Sequence, residues 1–317
     1  MTQSLTNRRM FLRTSIAGGL ALASGVGSSW AAEVSGQPAA GKIGDFKISL
    51  AQWSLHNALF KTKELTNLDF PKVAREKFGI DAVEFVNQFF KDKANDSAYL
   101  KDLKKRADDH GVTCVLIMID GEGDLSAKDK TKRNQAVENH KKWVDAAAAL
   151  GCHAIRVNTG SNYSANHVED AVDGCLALTE YGAKNKISII CENHGGPSSD
   201  PDALLALIKG VNKPTFGTLP DFGNFPKKDG KYAIDIYDAI ARMMPHAKGV
   251  SAKSYDFKGN QETNLDYARI LKIVTDSGYH GYVGIEYEGH NLGEADGIKA
   301  TKQLLESLRG ASYQPKS

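Results

Sequence analysis

The chain has few cysteines for its length, only Cys114, Cys152, Cys175 and Cys191. That scarcity excludes the dense disulfide framework that holds a small secreted fold together. Beyond the first 31 residues no run is apolar enough to cross a bilayer, and no block of lysine and arginine is long enough to form a nucleic-acid surface. No glycine-rich dinucleotide fingerprint follows the first apolar run, which argues against a nicotinamide-binding open sheet. No linker or composition break divides the chain, and no obvious phosphate nest appears. These absences leave one large domain, to be read from its internal rhythm.

The N-terminus differs from the rest. "NRRMFLRTS" sets Arg8 and Arg9 ahead of Phe11 and Leu12, and the weakly apolar "IAGGLALASGVGSSWAA" comes next. This is the charged start, apolar middle and small-residue exit of an export signal. Paired arginines and modest hydrophobicity point to the twin-arginine (Tat) translocase. Ser29 and Ala31 have the spacing a signal peptidase reads, which places cleavage after Ala31 or Ala32. The apolar middle is too short and glycine-rich for a stable membrane anchor, so the expected location is the periplasm. Losing Arg8, Arg9 and Arg13 takes the formal charge from +2 to −1. Nothing basic then remains to recruit nucleic acid. Cys114 and Cys191 sit inside apolar runs and read as buried, reduced core residues, although an oxidising compartment permits a disulfide.

Residues 32–45 read as a loose leader and 311–317 as a mobile tail. Between them, 46–310 alternates short apolar runs with longer amphipathic ones. The strand candidates are "KISLAQWS", "DAVEFVN", "VTCVLIM", "HAIRVN", "ISIICEN", "TFGTLPD", "AKGVSAKS" and "GYVGIEYEG". Helical spacing, closed by glycine or asparagine, marks "SAYLKDLKKRADDHG", "RNQAVENHKKWVDAAAALG", "VEDAVDGCLALTEYGAKN", "LDYARILKIVTDSG" and "ADGIKATKQLLESLRG". Eight strand-then-helix beats predict an α/β fold, a single-domain (β/α)8 TIM barrel. "FPKKDGKY" (225–232) reads as a polar rim or lid element.

Such barrels gather their chemistry at the C-terminal strand ends. Those ends here carry Gln52, Trp53, Ser54 and His56, then Glu84 and Asn87, then Asp120 and Glu122, then Arg156 and Asn158. The second half adds Glu192 and His194, Asp221 and Asn224, Ser251, Lys253 and Asp256, and finally Glu286 and Glu288. Polar residues on a rim are ordinary. Acids that each end a buried apolar run, as Glu192, Asp221 and Glu286 do, are costly together unless a cation offsets them.

The motifs "CENHGG", "LPDFGN", "VSAKSYDF" and "GIEYEG" in this order resemble the xylose isomerase-like TIM barrels, a family of sugar isomerases and epimerases. The resemblance covers essentially the whole mature chain. It implies a divalent metal (Mn, Mg, Zn or Co) held at strand ends five to eight, at Glu192, Asp221 and Glu286. It also implies a histidine on strand seven, where this chain has Ser251 in "SAKS", and one after the strand-six aspartate, where it has Asn224. His194 lies two residues beyond Glu192 and would share its face if the strand continues. It then completes a mixed oxygen and nitrogen shell; otherwise it binds a substrate hydroxyl or caps the loop.

With a metal present the site reads as an isomerase or epimerase, with a small carbohydrate as partner. A proton is removed beside a carbonyl of a sugar or keto-sugar. Glu192 and Glu286 are the acid/base candidates and Lys253 the candidate for stabilising an enediolate oxygen. His194, Arg156, Asn158, Asn224 and Trp53 are candidate substrate contacts, with pairing to an interior acid the alternative for Arg156 and a core role the alternative for Trp53. Glu84 reads as an ion-pair or hydrogen-bond partner. His110, His140, His246, His280 and His290 read as solvated. A lyase or dehydratase on an oxidised sugar or glycoside would use the same residues, and a non-catalytic periplasmic carbohydrate-binding barrel is the reading from another class. Oligomeric state is left open.

Overall fold

The structure is a computed structural model that describes residues 36–315; the export signal read at 1–31 lies outside the described residues. Eight parallel strands match the expected runs: β1 (Lys47–Ala51), β2 (Ala82–Val86), β3 (Thr113–Ile119), β4 (Ala154–Val157), β5 (Ser188–Glu192), β6 (Phe216–Leu219), β7 (Val250–Ser254) and β8 (Tyr282–Tyr287). Each pairs with the next, and β8 returns to β1. Between β6 and β7 the sheet closes through parallel bridges, Thr218 to Ala247 and Asp221 to Ser251. Ser251 N donates to Pro220 O at 3.0 Å there. The result is a TIM barrel.

The five amphipathic segments form α2 (Ser97–Asp109), α3 (Lys130–Leu150), α4 (Glu169–Lys184), α7 (Tyr267–Asp276) and α8 (Glu294–Leu308). The shorter α1 (Phe70–Phe78), α5 (Pro201–Val211) and α6 (Ile236–Met243) complete the remaining beats. Aspartates start five of these helices. Asp96, Asp129, Asp200, Asp235 and Asp266 each accept a backbone N–H of the first turn, which satisfies donors the helix itself cannot.

Alternation along each strand divides the apolar residues into two layers. Leu50, Phe85, Ile155, Ile189, Ala252 and Ile285 point outward and join the helix-facing core. Ala51, Val86, Met118, Ala154, Ile190 and Leu219 point inward and form a separate, smaller cluster. The inward positions it does not fill carry Ser49, Glu84, Arg156, Glu192, Asp221, Ser251, Lys253 and Glu286, all buried. An apolar run in this sequence therefore hides its chemistry on the alternate, inward side.

Away from the strand ends, the structure departs from the sequence-based expectations in two places. The expected loose leader and mobile tail pair with each other, Gly41–Lys42 running antiparallel to Ser312–Tyr313. Ile43 and Tyr313 are buried there, and hiding that apolar surface holds the stretches 41–43 and 312–313 down. His140 is buried on α3 rather than solvated, with Nδ1 2.7 Å from Ala136 O. Among the described residues no helix is long and apolar enough to cross a membrane, and all four cysteines are buried and unpaired.

Candidate metal and active centre

Glu192 is the last residue of β5, and Asn193 fixes the path of the chain beyond it. The buried Asn193 amide clamps the next strand end, donating to Asp221 O at 3.0 Å and accepting from Asp221 N at 2.7 Å. Asn87 holds Asp120 in the same way, with bonds of 2.8 and 3.0 Å, so the device is used twice around the mouth. Gly195 and Gly196 then take φ of +83° and +56°, left-handed values that side chains resist, and the chain turns away.

Three carboxyls converge inside the mouth. Glu192, Asp221 and Glu286 are buried, and each offers an oxygen within 4.8 Å of the others. Asp221 Oδ1 accepts the backbone N–H groups of Gly223 and Asn224, both at 2.8 Å, and Oδ2 accepts Ser251 Oγ at 2.6 Å. Glu286 Oε1 accepts Lys253 Nζ at 2.7 Å. Glu192 Oε1 accepts Asn224 Nδ2 at 3.0 Å. Its Oε2 lies 2.8 Å from Arg156 Nε, yet the N–H is not aimed at it, and neither atom has a hydrogen-bond partner.

Two cations stand among these acids. Arg156 donates to Asp120 at 2.9 Å while lying against Glu192, and Asn158 donates to the same Asp120 oxygen at 2.7 Å. Lys253, 2 % exposed at its side chain, bridges Glu286 and Glu288 and lies 3.9 Å from Asp221. Glu288 passes the connection outward, its other oxygen accepting Trp53 Nε1 at 2.5 Å. Trp53 stacks on His56 with centroids 5.1 Å apart, and Phe60 and Phe89 continue an aromatic wall. Trp53 is therefore a half-buried rim residue packed against the inner apolar cluster.

Burial drives the electrostatics. It raises the Glu192 and Asp221 carboxyls well above the ordinary range, with Arg156 and Lys253 opposing and the neighbouring acids adding to it. At Glu286 burial is outweighed by the charge and hydrogen bond of Lys253, and its pKa falls. At Asp120 burial is likewise outweighed, by Arg156 and by bonds from Gln88 and Asn158, and its pKa drops to about 2. Glu84 sits deeper. Ser49 donates to one oxygen at 2.6 Å, the other has no partner, and burial pushes its pKa to about 8. Gly284 leaves room for it, since a Cβ there would lie 2.5 Å from that carboxyl and push it aside.

Acids outnumber fixed cations at this mouth, and Glu192 Oε2 is a buried oxygen that accepts no hydrogen bond despite the nearby Arg156. That is the environment a divalent cation satisfies, and the residues present fit one. His194 is not part of the converging group. The strand ends at Glu192, so the alternation that would bring His194 inward stops two residues short of it. Its exposed ring faces a cleft of about 790 Å³ shared with Asn224, Phe225, Lys227 and Tyr255. Crowding and the charge of Arg156 lower its pKa. The residues placed to hold a cation are thus three carboxylates, from β5, β6 and β8, and His194 is not among them.

The sequence pattern puts Glu122 and Asp256 on the rim, and both hold structure instead. Glu122 accepts Trp143 Nε1 at 2.8 Å, and Asp256 accepts the backbone N–H groups of His290 and Asn291. Asn193 escapes the sequence reasoning, being hidden between two stronger candidates. A hollow of about 870 Å³ bounded by Leu205, Phe216, Arg242 and Lys248 exceeds the mouth cleft in size, but it contains none of the converging acids.

Comparison with known proteins agrees with this geometry. Residues 73–311 match the model of the xylose isomerase-like TIM barrel. The C-glycoside deglycosidase alpha subunit of Arthrobacter globiformis is 38% identical over 73 residues, 22% of this chain and 21% of that protein; the match spans about a fifth of that relative's length. Among solved structures, the probable 3-DHS dehydratase AsbF of Bacillus anthracis superposes with a TM-score of 0.62 at 18% identity, covering 82% of this chain and 99% of its own. D-psicose 3-epimerase of Clostridium cellulolyticum gives 0.63 at 13% identity, covering 83% and 100%. A xylose isomerase-like barrel from Mycobacterium smegmatis, solved with magnesium, gives 0.61 at 16%, covering 83% and 96%. The chain belongs to the xylose isomerase-like TIM barrel family.

Proposed function

We propose that this protein is a metal-dependent isomerase or epimerase that moves a proton at the carbon beside the carbonyl of a sugar or keto-sugar. The observation that carries the reading is the convergence of Glu192, Asp221 and Glu286, with a buried Glu192 oxygen that lies against Arg156 but accepts no hydrogen bond. An all-oxygen donor set favours magnesium or manganese over zinc. A cation held by Glu192, Asp221 and Glu286 would supply Lewis acidity at the substrate carbonyl, which would make the neighbouring C–H more acidic.

This chain's own residues supply the rest. Glu192 and Glu286 come from β5 and β8 and sit in unlike environments, one pushed up by burial and the other held down by Lys253. Such a pair divides into proton acceptor and proton donor. Lys253 presents a buried ammonium to the oxygen that gains charge. Arg156 and Asn158, both fixed by Asp120, and Asn224, fixed by Glu192, line the mouth with donors for hydroxyls. Trp53 offers an aromatic face at the rim, and His194 faces the adjoining cleft.

The same proton abstraction drives β-elimination when a leaving group sits on the next carbon. The short stretch shared with a C-glycoside deglycosidase subunit and the likeness of fold to a dehydratase favour this second reading, a lyase on an oxidised sugar or glycoside. Export by the twin-arginine route to the periplasm belongs to the proposal too. It is tested by N-terminal sequencing of the mature protein, which should begin at Ala32 or Glu33.

The decisive experiment pairs metal analysis of the purified mature protein with deuterium exchange into a panel of unphosphorylated sugars and keto-sugars. The expected result is bound divalent metal, exchange at one carbon, and loss of exchange in Glu192→Gln and Glu286→Gln. A folded, metal-free protein that exchanges no proton into any sugar refutes the reading and leaves a carbohydrate-binding barrel.

A further inference from the structure

Strand β7 brings two side chains to the carboxylate cluster, Ser251 and Lys253, two residues apart and therefore on one face. Ser251 has a single hydroxyl hydrogen. Asp221 Oδ2 takes it at 2.6 Å, while Glu286 Oε2 lies at 3.3 Å. Lys253 Nζ lies 2.7 Å from Glu286, 3.0 Å from Glu288 and 3.9 Å from Asp221. A positive charge is thus built into the cluster, bonded to one of the three carboxylates that would hold a metal and close to a second. Its side chain is almost fully enclosed, so neither water nor salt screens it as they would at a surface.

We infer that Lys253 is an internal cation that competes with divalent metal for the Glu192–Asp221–Glu286 cluster and sets how tightly this centre holds its metal. The inference rests on the metal-centred reading proposed above. Two like charges a few ångströms apart in a weakly screened interior repel strongly. Metal entry must therefore overcome the ammonium or draw Glu286 away from it. With metal absent, the lysine keeps the carboxylates assembled; with metal present, it hands Glu286 over and leans on Glu288.

The test titrates Mn2+ alone into the full mature protein, followed by calorimetry and by the electron-spin signal of free Mn2+. The variants are Lys253→Met, Lys253→Gln and Asp221→Asn, each checked for folding by near-ultraviolet circular dichroism. Glutamine keeps a donor for Glu286 without the charge, so it decides the matter if the methionine variant does not fold. The expected result is Mn2+ binding at least tenfold tighter in the Lys253 variants than in wild type, and binding lost in Asp221→Asn. Unchanged or weaker binding in folded Lys253 variants overturns the inference while the metal reading stands. Binding by a Lys253 variant but not by wild type upholds the inference and refutes the metal reading for the native chain. No binding by any form overturns both. In wild type itself, saturating Mg2+ should shift the nitrogen resonance of the Lys253 ammonium, and an unmoved resonance at saturation also overturns the inference.

Discussion

Replacing Glu84 by glutamine tests the claim that the barrel interior holds a neutral acid. Glu84 is 1% exposed, bonded by Ser49 through one oxygen and unpartnered at the other. Its pKa rises from 4.5 to about 8, because burial disfavours the anion and Glu286 and Glu192 add repulsion that the Ser49 bond and Arg156 do not cancel. Between those values the unfolded chain is ionised and the folded protein is not, so the folded state binds more protons. Stability must then fall as pH rises from about 4.5 to 8. At about 1.4 kcal/mol per unit, the full displacement costs about 5 kcal/mol. Glutamine keeps the acceptor for Ser49 and removes the titration, at the expense of one further buried donor worth about 1 kcal/mol. Urea unfolding across this range should show Glu84→Gln slightly less stable than wild type at pH 4 and about 4 kcal/mol more stable at pH 9. The two stability curves should cross in mildly acidic solution. A difference that stays constant with pH would falsify the assignment of Glu84 as a neutral buried acid.

Three other outcomes rest on contacts already described. Arg156→Met should lower stability by about 3–5 kcal/mol, seen as a large drop in melting temperature, because Asp120 and Glu192 lose the cation between them. A melting temperature that stays put would mean that both acids are relieved by water. Removing residues 312–317 should cost about 2 kcal/mol through loss of the Gly41–Lys42 pairing and Tyr313 burial. Metal content should be untouched, and its loss would mean that this end of the barrel reaches the site. Trp53→Phe keeps an aromatic ring, smaller than the indole, and loses the bond to Glu288. Metal content should stay at the wild-type level while sugar turnover falls, and equal turnover would remove Trp53 from the working mouth.

Much of this is legible in the chain. Eight apolar runs separated by amphipathic segments specify a barrel because each strand buries its outward face and each helix its inner one. The acids ending three of those runs mark the candidate site, since an ionisable group there has no cheap structural role. Glu192, Asp221, Glu286, Lys253 and Arg156 are all recoverable on that ground. His194 is not. Reading it inward requires β5 to continue two residues further, and only the folded chain shows Asn193 turning to clamp Asp221 and ending the strand. Nor can the leader and tail be seen to pair, since two short segments at opposite ends of the chain carry no periodic signal.

The sequence by itself determined the barrel and the strand ends that bear charge, because alternation and amphipathic spacing are local properties of the chain. Tertiary structure alone decided which charges meet. Closing β6 against β7 and β7 against β8 sets Asp221, Ser251, Lys253 and Glu286 side by side, although they lie up to 65 residues apart in sequence. The state of each acid depends on how many neighbours exclude water from it and which cation lies nearest, and no local pattern in the chain records either.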